Sequence, residues 1–351
     1  MSYINRLLGR ARAVRATRVV RHSAVVAVAL LAACESSNAV APGAPSITET
    51  VSNAVNTLAG IKLFVNPDSP AKRQADAWRT SRPNDAALMD RIAQQPVAQW
   101  MGNWNSDIRR DVASIVTRAA QQGATPVFVA YNIPNRDCGS YSAGGSSDAS
   151  TYRTWIRNFA AGLSGKSVVV LEPDAVPGAD CLPQSGRDER FSLLKDAVQV
   201  LKAAQAVVYL DAGHANWLST DVAAQRLDQA GINFADGFSL NVSNYQSTSS
   251  NIAYGESLSQ RVGGKHYIID TSRNGLGGSG SEWCNVPGQA LGVAPTTNTG
   301  HALVDAYLWI KVPGESDGTC NGGPSAGAWW ADYALGLAQR ASFTSSVVAS
   351  R

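Results

Sequence analysis

From about residue 60 the chain alternates short apolar runs with amphipathic segments, and that alternation narrows its possible folds more than any other feature. The runs fall at 61–65, 126–131, 167–171, 206–210, 237–242, 266–269 and 306–310. Several carry valine on both faces that an extended chain would present, as in Val168-Val-Val-Leu171. Between them helices are expected at 107–122, 150–163, 187–203, 221–230 and 326–341. The first of these places Ile108, Val112, Ile115 and Ala119 at three- and four-residue spacing, one apolar stripe. Strands buried on both faces and separated by helices predict a parallel sheet covered on both sides. No internal repeat is visible.

Polar residues fall in a pattern of their own. Tyr131 leads to Asp137; Leu171 is followed by Glu172 and Asp174, and Leu210 by Asp211. Asn241 and Asn244 follow the next run, Asp270 the next, and Lys311, Glu315 and Asp317 the last. In a parallel barrel these C-terminal strand ends share one face, where such folds place their active sites. Asp and Asn also start loops and cap helices. That accounts for some of these positions but not readily for all six strand ends.

Crowded carboxylates repel, so at least one stays protonated near neutral pH and can act as an acid. Splitting a glycosidic bond needs such an acid, plus negative charge facing an oxocarbenium-like sugar. A Ca²⁺ or Mg²⁺ site is the competing reading of the cluster, but Arg136 and Lys311 lie within it. Of nine tryptophans, Trp100, Trp104, Trp217 and Trp283 stand in polar or loop-like contexts, where an indole face serves a sugar ring. Trp329 and Trp330 lie in a helix-like run and are expected in the core. His214, between Asp211 and Trp217, reads as a substrate contact. There is no Gly-x-Ser-x-Gly elbow, no phosphate loop and no histidine placed to serve a serine or cysteine nucleophile.

The first 33 residues carry six arginines and no acid, then an apolar stretch from Ala24 to Ala33 that stops at Cys34. That core is short for a membrane span and matches an export signal. Leu31-Ala-Ala-Cys34 resembles a bacterial lipobox, which predicts a lipidated Cys34; a plain signal peptide is the alternative. Without this segment 24 basic residues face 27 acidic ones, a net charge of about −3 in place of +3, so nucleic acid is not an expected partner. Residues 34–57 read as a flexible Ser/Ala/Pro-rich tether. Cys138, Cys181, Cys284 and Cys320 remain, and an exported protein would join them as two disulfides in any of three pairings. Zinc lacks both a Cys-x-x-Cys pair and clustered histidines.

Several blocks together resemble family six of the glycoside hydrolases, the inverting cellulases. They are Tyr131-Asn-Ile-Pro-Asn-Arg-Asp-Cys138, Glu172-Pro-Asp174, Tyr209-Leu-Asp-Ala-Gly-His-Ala-Asn-Trp-Leu218, Asn241-Val-Ser-Asn-Tyr245, Trp283-Cys-Asn285 and Lys311-Val-Pro-Gly-Glu-Ser-Asp317. The resemblance runs from about residue 60 to 342. It implies a distorted parallel α/β barrel with fewer than eight strands and a cleft at the C-terminal strand ends. It implies Asp174 as proton donor, Asp137 as the group that raises the Asp174 pKa and orders the attacking water, and Asp317 as the usual candidate general base, directly or through a water chain. Tyr131 would crowd the sugar at the cleavage point. Asp211, His214, Trp217, Asn241, Asn244, Trp283, Lys311 and Glu315 match substrate-contact positions, joined by Trp100, Trp104 and Ser142. The implied disulfides are Cys138–Cys181 and Cys284–Cys320.

The resulting expectation is a signal at 1–33, the tether with lipidated Cys34 at 34–57, and a catalytic domain at 58–351 without cofactor or metal. It would act as a monomeric endo-β-1,4-glucanase, exported and lipid-anchored at the cell envelope or freely secreted. Its partners would be a β-1,4-glucan and, through Cys34, a membrane. A separate cellulose-binding module is not expected within this length. The alternatives are a cellobiohydrolase of the same family and a surface lipoprotein that binds glucan without cutting it. The Gly- and Ser-rich stretch between Gly275 and Trp283 predicts a low loop and an open cleft.

Overall fold

Seven short strands lie side by side in chain order, and every neighbouring pair is parallel. They are β1 (Gln99–Met101), β2 (Val127–Ala130), β3 (Val168–Leu171), β4 (Val207–Asp211), β5 (Gly237–Leu240), β6 (His266–Asp270) and β7 (Val304–Leu308). The computed structural model describes residues 56–342 apart from Ser279, so the expected export signal, Cys34 and nearly all of the tether lie outside the described residues. The two edges meet at a thin seam: Val97 bridges Trp309, and the Ala98 N–H donates to the Trp309 carbonyl at 3.0 Å. The result is the distorted barrel of fewer than eight strands that the family resemblance implies.

Strand side chains alternate between two cores, as the period of an extended chain requires. Val127, Val129, Tyr131, Val168, Val170, Val207, Tyr209, Ile268, Ala306 and Leu308 fill the barrel interior. Phe128, Val169, Leu171, Val208, Leu210, Phe238 and Ile269 face outward, beneath helices. Those helices include α3 (Ile108–Gln121), α4 (Ala149–Gly162), α5 (Gln184–Ala203), α6 (Thr220–Gln229) and α7 (Thr248–Arg261). A third core joins α1 (Pro70–Trp78), α2 (Pro83–Ala93) and α8 (Ala331–Arg340) around Trp309. Among the described residues no helix is long and apolar enough to cross a membrane.

The caps separate helix-starting acids from the others. Asp107 and Asp148 accept the Arg110 and Thr151 N–H groups at the starts of α3 and α4. Asp137, Asp174, Asp211, Asp270 and Asp317 N-cap none of the α-helices, so capping does not explain them.

Two expectations need correcting. Residues 61–65 form no strand; only Leu63 bridges Thr125, and the segment instead crosses the barrel base with Leu58 and Leu63 in the interior core. The helix expected from 326 begins at Ala331, which leaves Trp329 and Trp330 half-buried before its first turn. Between β6 and β7 the described residues form no helix, so a long irregular segment is free to reach the C-terminal face.

Leu58 is fully buried at the barrel base, and the neighbouring Asn56 side chain donates to the Asp305 carbonyl at 3.0 Å. Leu58→Ala should therefore cost about 2–5 kcal/mol, the range for a buried leucine that leaves a cavity. The check is the midpoint of denaturant unfolding at unchanged slope. A loss below about 1 kcal/mol would mean that the base is closed without Leu58.

Candidate active site

The loops after the strands converge on one cleft in two joined halves, of about 490 and 600 Å³. Asp137, Asp174, His214, Trp217, Asn244, Trp283 and Asp317 line the first half. Trp104 and Glu315 line the second, while Trp100, Tyr131, Ser142 and Lys311 border both. The backbone is forced here. Asn135, Asp137, Cys138, Glu172, Asp174, Asn241, Ser243 and Asn285 all hold φ between 49° and 68°, a region unfavourable to side chains with a Cβ.

Asp174 follows β3, and its N–H donates to Asp211 Oδ2 at 2.9 Å. Burial raises its pKa well above the usual carboxylate range, and the charges of Asp211, Asp137 and Asp317 add to the rise against Lys311. Burial and these charges bias Asp174 toward its protonated form. Asp137 is also raised, by burial, although the Ser142 N–H bonded to its Oδ2 at 2.7 Å and Arg136 oppose the shift.

Asp317 is the opposite case. Burial would raise its pKa, but Arg273 and Lys311 outweigh burial and lower it. Arg273 Nη1 lies 2.8 Å from Oδ2, Lys311 Nζ 3.1 Å from Oδ1, and the Asn285 N–H donates at 2.9 Å. Tyr245 adds a longer hydroxyl bond at 3.4 Å. Within one cleft, then, Asp174 and Asp137 are shifted toward the protonated form and Asp317 toward the ionised one.

Aromatic rings are fixed by polar anchors. The Trp100 indole donates to the Ile310 carbonyl at 2.8 Å and meets Tyr131 edge-on, with centroids 5.2 Å apart. Trp104 lies against Gly102, where an added Cβ would come within 2.4 Å of the indole. His214 Nδ1 accepts the Asn216 N–H at 3.2 Å, and burial pulls its pKa down to about 4, so the ring is neutral at working pH. Among the described residues no three His, Cys, Asp or Glu side chains converge as metal ligands.

Residues 58–341 match the sequence profile of the glycosyl hydrolases family 6. The chain belongs to that family. Endoglucanase A of Cellulomonas fimi is 48% identical over 282 residues, which are 80% of this chain and 61% of that protein. Endoglucanase A of Thermobispora bispora is 45% identical over 290 residues, 80% of this chain and 62% of that one. The family 6 chain thus spans about three-fifths of these relatives' length. Among solved structures, an endoglucanase from Mycobacterium tuberculosis, in complex with a thio-linked methyl-cellobiosyl cellobioside, superposes with a TM-score of 0.77 at 45% identity. That match covers 81% of this chain and 98% of that one.

Two residues expected to touch substrate do not reach the cleft of this family 6 chain. Asp211 is buried beneath Asp174, where it also accepts Ser239 Oγ at 3.1 Å and the Gly213 N–H at 3.3 Å. Asn241 is buried too; it donates to the Asp270 carbonyl at 2.8 Å and accepts the Gln246 N–H at 3.1 Å. Both position the loops that carry contact residues. Glu172, grouped with Asp174 by sequence, turns away and accepts the Asn132 and Ile133 N–H groups. The disulfides are Cys138–Cys181 and Cys284–Cys320. Sequence reasoning missed Arg273, fully buried against Asp317, and Tyr141, which meets Trp283. Arg273 stands three residues beyond Asp270 at the end of β6, where an ionisable side chain was the available signal.

Burial pushes the Asp211 pKa to about 7, and its charge in turn opposes ionisation of Asp174. Asp211→Asn removes that charge, so Asp174 should ionise at lower pH than in the wild type. Carboxyl carbon-13 NMR titration of Asp174 measures this directly; an unmoved or raised midpoint would show that Asp211 does not sustain the acid form.

Proposed function

We propose that this chain hydrolyses β-1,4-glucosidic bonds of cellulose or a related β-glucan with inversion of the anomeric centre. The observation that supports this reading is the arrangement of charge in one tryptophan-lined cleft: Asp317 is paired with Arg273 and Lys311, whereas Asp174 is buried among other carboxylates that favour its protonated form. Asp174 gives its proton to the leaving glycosidic oxygen as the bond from the anomeric carbon breaks. Water attacks that carbon from the opposite face and gives its proton to Asp317, directly or through further water. Asp137 orders that water; Asp317 then releases its proton to solvent and Asp174 regains one, so the pair is reset with no net proton consumed. Inverting geometry leaves about 6.5–9.5 Å between acid and base carboxyls for that water. Tyr131 crowds the sugar at the cleavage point and favours a distorted ring, while Trp100, Trp217 and Trp283 stack the flanking sugars.

Endo action is supported by the names of the two Endoglucanase A relatives. A cellobiohydrolase is the second reading, favoured by one feature: Tyr141 and Trp283, which line different halves of the cleft, meet with ring centroids 6.0 Å apart. A binding-only lipoprotein needs a missing acid, and Asp137, Asp174 and Asp317 are all present. The tether at 34–57 and lipidation of Cys34 after an export signal at 1–33 complete the proposal. They place the enzyme at the bacterial cell envelope.

Asp174→Asn should lower hydrolysis of unactivated β-glucan by about 10²–10⁴-fold, the range for general acid help, while oligosaccharide binding persists. A fall below about tenfold would remove Asp174 from the role. NMR of fresh hydrolysate should show the α-anomer first, and a β-anomer would refute inversion. Mass spectrometry of the mature protein should find a lipidated N-terminal Cys34 that Cys34→Ser abolishes; an unmodified Cys34 in the exported wild type would refute the anchor.

A further inference from the structure

Two loops that leave the barrel at β2 and β6 touch each other at the cleft, through side chains about half exposed. Tyr141 (48% exposed) and Trp283 (43%) meet with ring centroids 6.0 Å apart and planes tilted 58°. Tyr141 is seated: it lies on Gly318, where an added Cβ would come within 2.4 Å of its ring. It is also held from below, because Asp137 Oδ2 accepts the N–H of the adjacent Ser142 at 2.7 Å and Arg136 Nε donates to the Ser142 carbonyl at 2.8 Å. Each ring stands close in sequence to a disulfide, Tyr141 three residues after Cys138 and Trp283 directly before Cys284.

The contact occupies a particular place. Trp283 lines the half of the cleft that holds Asp174, and Tyr141 lines the half that holds Trp104 and Glu315. A glucan filling both halves passes this junction. A chain end can thread it, whereas the middle of a chain needs the rings to separate. The Gly- and Ser-rich segment leading into Trp283 carries no helix or strand among its described residues, and Trp283 makes this ring contact across to the β2 loop.

We infer that Tyr141 is a specificity-determining residue: with Trp283 it straps the cleft and holds back cleavage in the interior of a glucan. The inference rests on the hydrolase reading above. An aromatic contact of this size corresponds to about two- to tenfold in an equilibrium, so the strap restrains mid-chain entry without forbidding it. Asp137 shares the loop through Ser142, which links parting of the rings to the group beside the acid.

The test compares wild type, Tyr141→Ala, Tyr141→Leu and Tyr141→Phe on carboxymethylcellulose, as the fall in viscosity per new reducing end. That ratio cancels differences in specific activity. The leucine variant keeps apolar cover over Gly318 while removing the ring, which guards against a misfolded alanine variant; circular dichroism melts check both. Ala and Leu should raise the ratio about two- to tenfold, and Phe should match wild type. An unchanged or lowered ratio in both Ala and Leu, or a Phe variant that behaves like Ala, overturns the strap. Wild-type protein that releases no reducing ends overturns the hydrolase reading instead.

Discussion

Like charge held in one place governs this molecule. Asp174 ionises against burial and against three other carboxylates at once, with the Lys311 ammonium opposing them. A chain left to relax would separate these groups. The barrel prevents that by ending its strands at one rim and forcing the turns: Asp137, Glu172, Asp174, Asn241, Ser243 and Asn285 each hold a left-handed φ. At about 1–3 kcal/mol each, that strain is comparable with the whole net stability of an ordinary domain. The turns must therefore be fastened from outside themselves.

The fasteners are carboxylates that never reach the cleft. Glu172 at the end of β3 accepts two N–H groups from the loop after β2. Asp211 at the end of β4 accepts the Asp174 N–H from the loop after β3. Asp270 at the end of β6 accepts the Ser243 N–H beyond β5 at 3.0 Å and the Lys311 N–H beyond β7 at 2.9 Å. Each acid grips the loop of a neighbouring strand, so the rim is stitched laterally. Backbone N–H donors satisfy these buried acids and hold the loops that aim Tyr131, Asp174 and Lys311 into the cleft.

The sequence made the strands and the acids at their ends legible because apolar runs and ionisable residues are both local signals. It did not distinguish an acid that points into the cleft from one that grips a neighbour, since both follow a strand by a few residues. Asp211 is the last residue of β4, whereas Asp174 stands in a left-handed turn three residues beyond β3, and no local pattern marks that difference. β1 was missed because three residues, Gln99–Met101, carry too little pattern. The helix α7 hides its face in Ser and Asn, with Asn251 and Ser259 buried, so apolar spacing does not reveal it. The Tyr141–Trp283 contact joins residues far apart in the chain and leaves no trace in either local segment.

Asp317 shows how one arrangement can secure a charge and limit its use. Two cations hold it ionised, and the same pairing makes it a weak proton acceptor. For the proposed hydrolysis a weak acceptor is tolerable if the water's proton leaves late, after the glycosidic bond has largely broken and the attacking oxygen has become acidic. An oxocarbenium-like transition state has that order of events. A fixed negative charge beside the developing cation then contributes more than basicity does. Asp174 is protonated below its raised pKa, and Asp317 is ionised above its lowered one. Moving the two values apart widens the pH range in which both hold their working form, so the cations beside Asp317 and the anions beside Asp174 act on the same window from opposite ends.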